Sequence, residues 1–62
     1  MKVNVNGKQY ELATYAPVDR DGLWKVYVLV DKAERFCADG ETKSEAINNA
    51  MLDISFAPHL YQ

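Results

Sequence analysis

The sequence predicts a two-layer α+β fold in which an antiparallel sheet of three or four strands carries one C-terminal helix on one face. Three observations predict it. Alternating apolar residues run through 2–6, 8–16 and 23–30. Turn signals separate these runs at Asn6-Gly7, Asp21-Gly22 and Asp39-Gly40. A capped stretch with helical periodicity follows from residue 43. Strands grouped before a helix, with no βαβ alternation, read as α+β rather than α/β.

The first strand, 2–6, places Val3 and Val5 on one side and Lys2, Asn4 and Asn6 on the other. Asn6-Gly7 then signals a hairpin, because both residues tolerate positive φ. Strand 8–16 resumes with Tyr10, Leu12 and Thr14 on one face. A two-residue loop pairs Val3 with Tyr10, and a four-residue loop pairs Val5 with Tyr10. Either register keeps Val3, Val5, Tyr10 and Leu12 together, because side chains alternate with a period of two. Residues 16–22, APVDRDG, form an exposed loop in which Pro17 removes a backbone donor.

LWKVYVLV, 23–30, is the strongest strand, dense in β-branched and aromatic side chains. Trp24, Val26, Val28 and Val30 share one face, and Lys25, Tyr27 and Leu29 the other. That second face is not polar, so the strand is expected to be central, and the face that meets the helix is left open. Asp31-Lys32-Ala33 turns the chain into a short strand, 34–38, in which either Phe36 or Cys37 faces the core.

Thr42-Lys43-Ser44-Glu45 is a capping box: the Thr42 hydroxyl can accept from the Glu45 N–H, and Glu45 can reach back to the Thr42 N–H. The helix is expected over 43–56. Ala46, Ile47, Ala50, Met51, Ile54 and Ala57 form its core stripe, and Pro58 stops it. The whole chain, 1–62, reads as one domain.

Length and composition narrow the function. A 62-residue chain buries only about 60% of the surface its unfolded form exposes. Its core is expected to supply no more than about 3–5 kcal/mol. Cys37 is the lone cysteine, so no internal disulfide can form, and the residues suggest no metal site. Homodimerisation is one expected way to add buried area. The net charge of −2 argues against the basic footprint that nucleic-acid binding requires. MKVNVNG has no apolar run of signal-peptide length, and no stretch suits a membrane span. With a single reduced-type cysteine, the expected location is the cytoplasm.

No catalytic group stands out. Cys37 and His59 could meet only if the C-terminal tail folded back over the fourth strand, and a nucleophile needs a base within hydrogen-bond reach. Asp19, Asp21, Asp31, Asp39 and Glu41 are loop acids. DRDG lacks the alternating ligands and closing Glu of a calcium loop. No cofactor is expected. The remaining class is a protein-binding surface. Leu52 and Phe56 are i,i+4 neighbours outside the core stripe and can form an apolar ridge. Tyr27 and Leu29, with Ala13 and Tyr15, lie opposite the presumed core face. An antiparallel sheet can leave one face in water, and tyrosine-rich patches often mark protein contacts. The candidate partner-binding residues are Tyr15, Tyr27, Leu29, Leu52, Phe56 and Tyr61. Should His59-Leu60-Tyr61 pack on Leu52 and Phe56, the ridge would be covered instead.

GETKSEAINNAMLDI, 40–54, resembles the helix region of HicB-type antitoxins, which characteristically reads Gly-x-Thr-x-x-Glu-Ala-x-x-Asn-Ala. The matching residues are Gly40, Thr42, Glu45, Ala46, Asn49 and Ala50. Asp21-Gly22 followed by the strand from Trp24 to Val30 also fits. Val30 to Arg35 stands where that family has Pro-Asp-Leu-Pro-Gly. The resemblance implies a small domain that neutralises a protein partner, in that family a small toxin ribonuclease. A second likeness, three strands and then Gly40-x-x-Lys43-x-x-Ala46, resembles part of a double-stranded RNA-binding domain. That likeness implies nucleic-acid binding as the alternative; Lys43 matches one of the family's adjacent lysines, Ser44 stands where a second would be, and Glu45 follows.

Overall fold

The computed structural model describes residues 1–62. Four antiparallel strands, β1 (Lys2–Val5), β2 (Lys8–Tyr15), β3 (Trp24–Val30) and β4 (Ala33–Gly40), lie side by side in chain order. Helix α1 (Lys43–Phe56) follows and crosses one face of the sheet, mainly over β4. A 3-10 turn, η1 (Pro58–Tyr61), completes the chain.

The β1–β2 connection takes the tight form. Asn6 (φ 53°) and Gly7 (φ 84°) both adopt the left-handed region, and Val3 pairs with Tyr10. The Asn4 side-chain carbonyl accepts from the Gly7 N–H at 3.0 Å. At the β3–β4 turn Asp31 (φ 50°) and Lys32 (φ 67°) do the same without a glycine. Such a two-residue turn twists with the strands it joins, which is why it is used despite the cost at Lys32.

The face that meets the helix carries Val5, Tyr10, Leu12, Val26, Val28, Val30 and Ala38, packed on Ala46, Ala50 and Ile54. Val26, Val28 and Ile54 are wholly buried, each contributing roughly 1.5–3 kcal/mol of transfer free energy. Val3, Trp24, Ile47 and Met51 complete the rim of this core. The residues that alternation grouped in β1 to β3 do share one face, and the packing of α1 decides which face of β3 is the core.

In β4 the alternation is interrupted. Val26 pairs with Ala38 and Tyr27 with Phe36, so Cys37 is an extra residue in a β-bulge. The unbroken register from the Asp31-Lys32 turn up to Tyr27–Phe36 resolves which side chain turns inward, and the bulge adds Ala38 to the inner side. Phe36 points to the outer face and is 53% exposed, while Cys37 and the small Ala38 both lie toward the helix. Strand β4 also runs further than 34–38, from Ala33 to Gly40.

The junction into α1 is set by four local contacts. Thr42, in extended conformation, accepts from the Glu45 N–H at 3.0 Å. The Glu45 carboxylate reaches back one residue further than a capping box requires and accepts from the Glu41 N–H at 3.3 Å. Asn49 donates to the Asp39 carbonyl at 3.0 Å. Gly40 lies so close to the helix that a Cβ there would stand 2.6 Å from the Ala46 nitrogen. Gly40 is thus required for close approach of strand and helix rather than for a turn.

Candidate functional site

With α1 on one side of the sheet, the opposite face is open. From the register, Ala13, Tyr15, Lys25, Tyr27, Leu29, Glu34 and Phe36 project from it. Tyr27 is central. Its ring is edge-on to Tyr15 at 5.5 Å between centroids and to Phe36 at 5.6 Å. Edge-to-face contacts of this kind favour a fixed arrangement over independent rotation. Tyr15 stands opposite Lys25, yet its hydroxyl donates to the Glu34 carboxylate at 2.7 Å. The ring must therefore lie diagonally over β3. That carboxylate, first by the hydrogen bond, holds the Tyr15 phenol above its ordinary pKa.

Loop 16–23 walls one end of this face. The Asp21 carboxylate accepts from the Leu23 N–H at 2.9 Å and pairs with Lys25 at 2.7 Å. Lys25 holds the Asp21 carboxyl below its usual range, and Asp21 raises the Lys25 ammonium. Between loop and sheet runs a groove of about 630 Å³, floored by Tyr15, Leu23 and Tyr27 and edged by Val18, Asp19 and Glu34. Val18 is 91% exposed.

The sequence-derived candidates divide into three places. Tyr15, Tyr27 and Leu29 share the open sheet face. Leu52 and Phe56 project from the side of α1 away from the core, at 59% and 87% exposure. In a two-layer domain these are opposite surfaces, so the five residues cannot form one continuous site. Tyr61 belongs to neither. It is buried in the core cluster and its hydroxyl donates to the Asp53 carboxylate, so its assignment to a partner surface is corrected. Pro58 and the 3-10 turn carry the tail back toward β4, where the Arg35 guanidinium donates to the Leu60 carbonyl at 3.0 Å. The tail is consequently spent on Asp53 and Arg35 and leaves Leu52 and Phe56 uncovered.

That return also decides the Cys37 environment. The Cys37 sulfur lies 3.5 Å from the Ala50 carbonyl and 3.8 Å from the Asp53 carboxylate. The residue the tail brings to this pocket is Tyr61, while His59 is exposed. Burial pushes the Cys37 thiol up, and burial together with the Asp53 carboxylate raises the Tyr61 phenol. A thiol shifted in this direction is a poor nucleophile at neutral pH. No group of three or more His, Cys, Asp and Glu side chains is placed to hold a metal ion. No helix is long and apolar enough to cross a membrane.

Phe36 and Glu34 were not singled out by sequence. The signal was the length of the Asp31-Lys32 turn: a two-residue loop puts Glu34 opposite Leu29 and Phe36 opposite Tyr27. The arrangement defines a small α+β domain with an exposed aromatic sheet face. No protein-family model, curated protein or solved structure matches the chain.

Proposed function

We propose that this chain is a non-enzymatic protein-binding module that inhibits or occludes a partner protein in the cytoplasm, as an antitoxin does or as a phage or mobile-element inhibitor of a host protein would. The observation that carries this reading is the ordered, solvent-facing strip Tyr15–Tyr27–Phe36 with Leu29 beside it. Aromatic side chains already held in place lose little conformational freedom on binding, which favours their use at protein contacts. The likeness of residues 40–54 to HicB-type antitoxins supports a toxin as the partner. The likeness is a modest support, because each matched residue serves the β4–α1 junction or the core. The RNA-binding alternative is disfavoured, since Lys43 is the one cation at a helix start shared with Glu41 and Glu45.

Affinity capture from host lysate, read by mass spectrometry, tests the proposal. Wild type should retain a defined partner, and Tyr27→Asp should lose it while keeping its fold by circular dichroism. Leu52→Asp tests the opposite surface in parallel. Capture unchanged by both substitutions would remove both surfaces from consideration.

A further inference from the structure

We infer that the outer-face groove is built for a basic segment of the partner protein, one in which Lys or Arg side chains alternate with apolar ones. This deepens the reading above and rests on it. The argument is charge complementarity over an apolar floor. Asp19 and Glu34 edge the groove, and Asp21 and Asp39 flank Lys25. Lys25 is the single cation lining the groove, and it is bound to Asp21. Arg20, in the same loop, does not line it.

Asp19 and Glu34 are the carboxylates left to recognise a cation, and Glu34 is the one held beside the aromatic floor. The Tyr15 hydroxyl lies 2.7 Å from both Glu34 carboxylate oxygens, whose outer lone pairs stay open, and Glu34 has no cationic partner. A carboxylate offers about four acceptor sites, so an incoming Lys or Arg can be bound without displacing Tyr15. The same cation would lie beside the Tyr15 and Tyr27 rings, where an aromatic face attracts positive charge. Apolar neighbours in the segment would rest on Val18, Leu23 and Tyr27. An acidic segment would meet the unpaired carboxylates and be repelled.

The probes are a short peptide alternating Arg and Val and the same peptide with Glu in place of Arg. Each is titrated into the ¹⁵N-labelled full chain and followed by amide chemical shifts. The Arg peptide should move Tyr15, Tyr27 and Phe36, weaken with added salt, and lose about fivefold or more in affinity to Glu34→Lys. The Glu peptide should leave these amides unmoved. Equal binding of both peptides, no binding of the Arg peptide, or shifts centred on Leu52 and Phe56 would overturn the inference. So would movement of the same amides on dilution without peptide, which would assign the groove to a second copy of the chain. Partner capture lost with Tyr27→Asp but kept with Glu34→Lys would overturn the basic-segment inference and leave the proposed function standing.

Discussion

Gly40→Ala should destabilise the fold by about 2 kcal/mol, through backbone collision alone. The added Cβ would lie 2.6 Å from the Ala46 nitrogen, 2.9 Å from the Ala46 Cα and 3.0 Å from the Glu45 carbonyl carbon. All three are backbone atoms in the first turns of α1, so no side-chain rotation relieves the contact. Restoring ordinary separations of about 3.5 Å would require moving helix and strand apart by somewhat under 1 Å. That movement opens the layer where Ala46 and Ala50 are wholly buried. Overpacking of this kind costs about 1–3 kcal/mol, and immovable neighbours place this site toward the upper end. Loss of glycine's freedom in the unfolded chain offsets about 0.4–1 kcal/mol. Equilibrium urea unfolding reads the difference: with a slope of about 1 kcal/mol per molar for so small a domain, the midpoint should fall by about 2 M. Gly7→Ala is the control, since Gly7 has φ 84° and open space around it. Its cost, about 1 kcal/mol, comes from backbone conformation only. A Gly40→Ala midpoint within experimental error of wild type would refute the close-approach argument.

Three further substitutions probe other parts of the fold. Tyr61→Phe should cost about 1–2 kcal/mol at neutral pH by removing the donor to Asp53. Because the Tyr61 phenol is raised above its ordinary value of 10.0, the stability it adds is present below pH 10 and is lost as pH rises beyond it. Wild type should therefore lose more stability than Tyr61→Phe between pH 9 and about 11, and parallel unfolding midpoints would show that the phenol does not act this way. Thr42→Ala should cost about 1 kcal/mol through loss of the acceptor for the Glu45 N–H, with Thr42→Ser nearly neutral by thermal melting. Lys32→Gly should stabilise by about 0.5 kcal/mol, because φ 67° suits glycine better than lysine; an unfolding midpoint below that of wild type would contradict this.

Local pattern alone determined much of this protein. Strand alternation grouped Val3, Val5, Tyr10 and Leu12 on one face and Val26 with Val28 on one face of their strand, because each side chain's direction follows from the period of the strand it occupies, while the packing of α1 chose which face of β3 became core. The helix bounds, 43–56, were equally local, set by the Thr42 cap and by Pro58. Tertiary structure decided the rest. The register from the Asp31-Lys32 turn set Phe36 opposite Tyr27 and so outward, and the bulge at Cys37 then brought Ala38 inward beside it, a choice made by the pairing of β4 with β3 and invisible in β4 itself. Tyr61 looked like a surface aromatic until the 3-10 turn brought it to Asp53. The candidates at Tyr27 and at Leu52 became two surfaces once α1 took one face of the sheet. Sequence spacing specifies which residues share a strand or helix face, but which of those faces meet or remain in water depends on contacts between segments far apart in the chain.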